Sequence, residues 1–211
     1  MMAPRHDGLA PVWGCVLIGG RSSRMGAPKH LIMQDGLSWV ERTVAVLGQV
    51  VEQVVVAGGG ELPLSLTAIP RVADVSELAG PLAGILAVLR AYPQVSWLVV
   101  ACDQPDMHID ALHWLLRCRQ PGVLAVMPDI AGTGRVEPLL AYYDLAIRPV
   151  LEEMAASGHR RMNRLQSVAG VISPCPPAHL HASWRNINTP GELEGVPMVI
   201  GPSPNASVQQ G

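Results

Sequence analysis

Two short stretches of this 211-residue chain carry side chains whose types and spacing suit the handling of charge. In VLIGGRSSRMGAPKHLI (16–32), an apolar run stops at Gly19 and Gly20, and Arg21, Arg24 and Lys29 follow among small residues. Glycines after a strand let the backbone approach a phosphate closely and offer it several N–H groups. Arg24 and Lys29 are then placed to neutralise phosphate charge, the guanidinium by bidentate contact. Ser22 and Ser23 suit hydrogen bonds to phosphate better than nucleophilic attack, because no His or Asp partner is evident beside them. Two standard phosphate motifs fail on spacing. GGRSSRMG does not space its glycines as G-x-G-x-x-G does, and Lys29 neither follows Gly26 directly nor precedes a Ser or Thr. In VVACDQPD (99–106), an apolar strand ends in Asp103, with Pro105 stiffening the turn. A carboxylate at such an edge suits Mg²⁺, which bridges protein and phosphate oxygens while keeping waters. Asp106 is a possible second ligand. Each stretch also admits a plainer reading: a solvated basic turn, and a carboxylate that opens a turn and caps a helix.

The elements that would position these residues alternate between strand and helix. VWGCVLI (12–18), QVVVAGGG (53–60) and SWLVVACD (96–103) read as strands buried on both faces. Residues 37–51 place Leu37, Val40, Val44, Leu47 and Val51 at helical spacing, with Ser38 as cap and Glu41 completing a capping box. A short strand around 69–72 ends before Asp74. A helix spans 80–92 with Pro81 in its first turn. A further helix follows with Asp110 as its cap. A strand at 122–128, an extended segment at 135–143, a helix over 145–157, a short helix at 160–167 and a strand at 168–173 complete the reading. Such alternation predicts an α/β fold, a three-layer α/β/α sandwich on a mainly parallel sheet. Ligands of such sheets bind beyond the carboxyl ends of the strands. That rule selects 19–29, Gly58 to Gly60, Asp74 and 103–105. One domain over 1–195 is expected, with a disordered tail over 196–211.

Composition narrows the function classes. Hydrophobic residues are 49% of the chain, enough for a sizeable core, and charged residues only 15%. A net charge of -2 and an aromatic content of 4% without Phe give no electrostatic or stacking footprint for a nucleic-acid partner. No apolar stretch is long enough to span a bilayer, and the first residues lack a signal-peptide core. The four cysteines, Cys15, Cys102, Cys118 and Cys175, form no C-x-x-C pair, and the seven histidines no H-x-x-x-H pair. A cytoplasmic protein is therefore expected. His30, beside Lys29, is expected to pack or face solvent.

LIGGRSSRMGAPK (17–29) is similar to the signature of the nucleotidyltransferase superfamily, typically L-A-G-G-x-S-x-R-M-G-x-x-K. Within it the chain resembles the molybdenum cofactor guanylyltransferases. VADVSELAGPLAGILAVL, ACDQPDM, RVEPLLAYYDLAIRPVLEEMAASGHRRMNRL and WRNINTPGEL carry the likeness in order, so that it runs from about residue 12 to 194. The resemblance implies that the terminal phosphate of molybdopterin attacks the α-phosphorus of GTP, with Mg²⁺ as cofactor and pyrophosphate leaving. It implies nucleotide contacts from Leu17, Ile18, Gly19, Gly20, Asp74 and Gly80. Arg24 and Lys29 would hold the triphosphate, and Asp103 the metal. Arg160, Arg161, Arg164, Asn186 and Asn188 would lie on the acceptor side, and a molybdopterin-insertion protein is admitted as a docking partner. Three positions depart from the pattern. Ala57 stands where guanylyltransferases commonly carry Asn, Pro28 where an acidic residue often precedes the lysine, and Ile18 where Ala is usual. A cytidylyltransferase or sugar-phosphate nucleotidyltransferase, and a non-catalytic nucleotide-binding protein of the same fold, are the alternatives.

Overall fold

The computed structural model describes residues 9–19, 28–188 and 192. Its strands are β1 (Val12–Leu17), β2 (Met33–Gln34), β3 (Leu37–Ser38), β4 (Val54–Ala57), β5 (Arg71–Val72), β6 (Ser96–Ala101), β7 (Ala125–Val126), β8 (Ala141–Tyr143) and β9 (Val171–Ile172). Its α-helices are α1 (Trp39–Leu47), α2 (Pro81–Ala91), α3 (Ile109–Arg117) and α4 (Arg148–Ala156). Among the described residues, one sheet has the order β5-β4-β1-β6-β8-β7-β9, and β2 pairs with β3 in a separate hairpin. Within the large sheet the pairings are parallel except where β8 lies antiparallel to β6 and β7.

Strand periodicity builds the three layers. Cys15, Val55, Trp97 and Val99 point to one face, where Ile85, Leu86 and Leu89 of α2 and Leu151 of α4 cover them. Val16, Val54, Val56, Leu98 and Val100 point to the other, against Val40 and Leu47 of α1 and Ala111, Leu112 and Leu115 of α3. With both faces covered, the central strands need no polar alternation, hence their continuous apolar runs. No helix among the described residues is long and apolar enough to cross a membrane.

The capping box forms as the sequence predicts. The Glu41 amide donates to Ser38 Oγ at 3.4 Å, and the Ser38 amide to Glu41 Oε2 at 2.7 Å. Burial pushes the Glu41 carboxyl up, but hydrogen bonds from the Ser38 hydroxyl, the Ser65 hydroxyl and the Ser38 amide outweigh it, and its pKa is lowered overall. A lowered carboxylate stabilises the fold above its unfolded pKa and ceases to as pH falls through the folded one. Ser38→Ala is therefore expected to cost about 1 kcal/mol near pH 7, and less in acid, by thermal melts at both pH values.

Several boundaries differ from the sequence reading. α1 is shorter than 37–51, because Leu37 belongs to β3, where it is 44% exposed, and Val51 follows the helix. His108, not Asp110, caps α3: its Nδ1 accepts the Asp110 amide at 3.3 Å, and Asp110 sits in the first turn. The 145–157 segment divides into a 3-10 turn, Leu145–Ile147, and α4, whose early Pro149 suits a helix start. The 160–167 segment is a 3-10 helix, Met162–Ser167, with Arg160 and Arg161 ahead of it. The strands expected at 122–128 and 168–173 shorten to β7 and β9.

Candidate active site

The chain reverses its order of strand addition at β1. β4 and β5 extend the sheet on one side, and β6 is added on the other. Leu17, the last residue of β1, is in register with Ala57 of β4 and Ala101 of β6. A crevice forms at such a switch point, because the loops leaving neighbouring strands part in opposite directions. A cavity of ≈ 240 Å³ opens there. Leu17, Ile18, Gly19, Lys29, Asp74, Gly80 and Asp103 line it, joined by His30, Ala57, Cys102 and Leu139. The structure thus brings together every described residue to which the resemblance gives a nucleotide contact. Gly20 and Arg24 lie outside the described residues.

Two glycines permit the close packing around this crevice. A Cβ on Gly58, whose φ is +113°, would lie 1.8 Å from the Ile18 carbonyl oxygen. A Cβ on Gly84 would lie 2.7 Å from Leu17 Cδ2 and 3.1 Å from Asp74 Oδ1. The start of α2 can therefore sit against the end of β1, with Gly80 and Pro81 at the cavity wall. A helix N-terminus there contributes positive potential toward an anion. Ile18 is 2% exposed and packs with the α1-side core, so the bulk that replaces the usual Ala goes largely into protein.

Lys29 ties three segments together. Its Nζ donates to Asp103 Oδ2 at 3.0 Å, to the Ile187 carbonyl at 2.9 Å and to Asn188 Oδ1 at 2.8 Å. The Ile187 amide donates to the Asp103 carbonyl at 2.9 Å, which fastens the same segment to the end of β6. The ammonium and the carboxylate are each partly accessible, so both can meet a ligand. Desolvation raises the Asp74 carboxyl above its ordinary value. Burial, with Asp103 close by, pushes the Cys102 thiol up to about 12, so this cavity-lining sulfur stays protonated and is no nucleophile. Asp106 is not a second ligand beside Asp103. It pairs with Arg185 at 2.6 Å and does not line the cavity.

A second, open recess of ≈ 540 Å³ is lined by Pro81, Pro138, Arg160, Arg161, Met162, Asn163 and Arg164. It shares Pro81 with the first cavity, so the two are neighbours. Neither Asn186 nor Asn188 lines this recess, and Asn188 comes to Lys29 instead. Between the two spaces runs the 137–140 segment. Leu140 there holds a left-handed φ of 55°, and its carbonyl accepts from Trp184 Nε1 at 2.9 Å. Just before it, Leu139 lines one cavity and Pro138 the other. Sequence reasoning read Glu137 and Pro138 only as opening an extended segment near the acceptor side, because a left-handed leucine leaves no motif. It also placed His30 no further than packing or solvent. The ring is 5% exposed and lines the nucleotide-side cavity, a position that only its adjacency to Lys29 signalled.

Comparison with known proteins finds relatives in sequence and in fold. Residues 14–171 match the MobA-like NTP transferase domain. The molybdenum cofactor guanylyltransferase of Sinorhizobium fredii is 33% identical over 198 residues, covering 85% of this chain and 87% of its own. The molybdenum cofactor biosynthesis bifunctional protein of Synechocystis is 32% identical over 135 residues, and the match spans only 39% of its length. Among solved structures, molybdopterin-guanine dinucleotide biosynthesis protein A from Archaeoglobus fulgidus superimposes with a TM-score of 0.71 at 27% identity, covering 86% of this chain and 95% of its own. The 2-C-methyl-D-erythritol 4-phosphate cytidylyltransferase of Thermus thermophilus shares the fold, with a TM-score of 0.62 at 17% identity over 85% of this chain and 94% of its own. The chain belongs to the MobA-like NTP transferase family and is a nucleotidyltransferase of that α/β fold.

Proposed function

We propose that the chain transfers GMP from GTP to the terminal phosphate of molybdopterin, forming molybdopterin guanine dinucleotide and releasing pyrophosphate. The observation that carries this reading is the pair of neighbouring cavities. One holds Lys29, Asp103 and the N-terminus of α2; the other is lined by Arg160, Arg161 and Arg164; they meet at Pro81. The first suits a triphosphate and the second an anionic acceptor. Guanylyltransferase relatives at about this length support GTP and the molybdenum cofactor as the substrate pair.

An acceptor phosphate oxygen bonds to the α-phosphorus as the bond to pyrophosphate breaks in line, so the protein has mainly to position and to offset charge. Leu17, Ile18 and Gly19 meet the nucleotide along the end of β1, with Asp74 and Gly80 in the same cavity wall. Lys29 carries the positive charge for the phosphates. Among the described residues no group of three His, Cys, Asp or Glu could hold a metal unaided. A single accessible carboxylate fits Mg²⁺, a hard oxygen-seeking cation bound by proteins through as few as one or two carboxylates. Asp103 would hold that ion, which supplies further neutralisation of the phosphates. The three arginines steer the acceptor, and Asn188, bonded to Lys29, links the C-terminal segment to the nucleotide side.

The test combines purified protein with molybdopterin and Mg²⁺, and GTP, CTP or ATP in separate tubes, with products identified by mass. A guanine dinucleotide formed with GTP alone is expected. Product from CTP would overturn the guanylyl assignment, and no product from any donor would overturn the acceptor. In the same assay Arg161→Ala combined with Arg164→Ala is expected to raise KM for molybdopterin about 10-fold and leave KM for GTP unchanged.

A further inference from the structure

Guanylyltransferases commonly carry an Asn at the end of the second strand, and this chain has Ala57, whose methyl group offers the cavity no hydrogen bond. Gly58, Gly59 and Gly60 follow, also without polar side chains. The polar side chains on the described cavity wall are Lys29, His30, Asp74 and Asp103. Lys29 and Asp103 belong to the phosphates and their metal in the reading above, which leaves His30 and Asp74 for the nucleoside.

His30 is held in one orientation. Its Nε2 lies 2.9 Å from the Glu61 carbonyl oxygen. A carbonyl only accepts, so Nε2 carries the proton and Nδ1 presents its lone pair whenever the ring is neutral. Burial lowers the pKa of the ring; the hydrogen bond to Glu61 opposes this, and Arg71 reinforces it, so the neutral form is favoured near pH 7. The ring packs on Gly60, where a Cβ would lie 3.2 Å from Cε1. Arg71 braces the same loop by donating to the Gly60 carbonyl at 2.8 Å and the Gly58 carbonyl at 3.3 Å.

We propose that His30 is a specificity-determining residue, its Nδ1 accepting a hydrogen bond from the N1–H or N2 amino edge of guanine in place of the absent Asn. With the Asp74 carboxylate, the wall presents two acceptors. Guanine offers adjacent donors on its Watson–Crick edge, whereas adenine and cytosine each place an acceptor, N1 or N3, beside a single amino group. A wall of acceptors therefore favours guanine and rejects the other two by leaving polar groups unpaired.

This inference rests on the guanylyltransferase reading, and the experiment separates the two. Dissociation constants for GTP, ATP and CTP are measured on the parent protein and on His30→Phe and His30→Gln, without acceptor. The parent is expected to prefer GTP. His30→Phe is expected to lose about 5- to 10-fold for GTP alone, and His30→Gln, which keeps an acceptor oxygen, to recover part of it. A GTP preference unchanged in His30→Phe, or an equal loss for all three nucleotides, would overturn the role of His30 and leave the guanylyl reading standing. No GTP preference in the parent would overturn both. A measurement on the parent protein covers variants that do not fold. With ¹⁵N-labelled histidine, GTP but not CTP should shift a lone-pair Nδ1 resonance toward the hydrogen-bonded range, and the absence of any such shift would overturn the proposal.

Discussion

Asp103→Asn is expected to lower turnover by about 10²- to 10³-fold while the protein stays folded, a loss typical of removing one charge-stabilising group from an active site. The substitution keeps the shape of the side chain and removes its charge. Lys29 still has the Ile187 carbonyl and Asn188 Oδ1 within 2.9 Å, so the ammonium is not left unpaired and the C-terminal segment stays fastened. The melting temperature should therefore change by only a few degrees. Nucleotide binding without metal should change little, and the Mg²⁺ concentration for half-maximal activity should rise. Steady-state kinetics with a Mg²⁺ titration reads all of this. Full activity in Asp103→Asn would remove this carboxylate from the reaction. Lys29→Ala separates the two partners: it removes the ammonium's ties to Ile187 and Asn188 while the Ile187 amide still donates to the Asp103 carbonyl, and weaker use of GTP is expected from it.

The parts of this site that could be read from the sequence are those set by local chemistry. Continuous apolar runs identify β1, β4 and β6 because burial on both faces removes any need for alternation. Ser38 and Glu41 announce the start of α1 because a capping box is made within four residues. The side of the sheet that binds ligand follows from alternating strand and helix, and it brings Gly19, Asp74 and Asp103 to one edge without any contact being known. What escaped depends on residues far apart in the chain. Lys29 meets Asn188 from 159 positions away, which no local pattern encodes. Asp106 looked like a ligand because it stands three residues beyond Asp103, but Arg185, 79 positions on, takes its carboxylate. His108 displaces Asp110 as a cap because an imidazole nitrogen can accept an amide as a carboxylate does. His30 has no motif; its neighbours Glu61, Gly60 and Arg71 give it an orientation only once β4 and β5 are side by side.

Gly58→Ala is expected to cost more than about 3 kcal/mol and to abolish nucleotide binding with it. The reason is geometric and lies in backbone, which cannot turn aside as a flexible side chain can. The added Cβ would stand 1.8 Å from the Ile18 carbonyl oxygen, at a φ of +113° that L side chains rarely adopt. Relief requires the end of β1 to part from β4, yet the Ile18 amide donates to the Ala57 carbonyl at 2.9 Å across that contact, and the Gly58 amide is itself held to β5 by donating to the Val72 carbonyl at 3.0 Å. The displaced residues, Ile18 and Gly19, are themselves cavity wall. Stability and binding should therefore fall together. At about 2–4 °C per kcal/mol for a chain of this size, the melting temperature should drop by roughly 6–12 °C or more. Gly59→Ala is the matched control: its Cβ would meet nothing within 4 Å and its φ is not left-handed. It should melt and bind GTP as the parent does. Equal behaviour of the two variants in thermal melts and GTP titrations would show that the β1–β4 contact does not shape the nucleotide cavity.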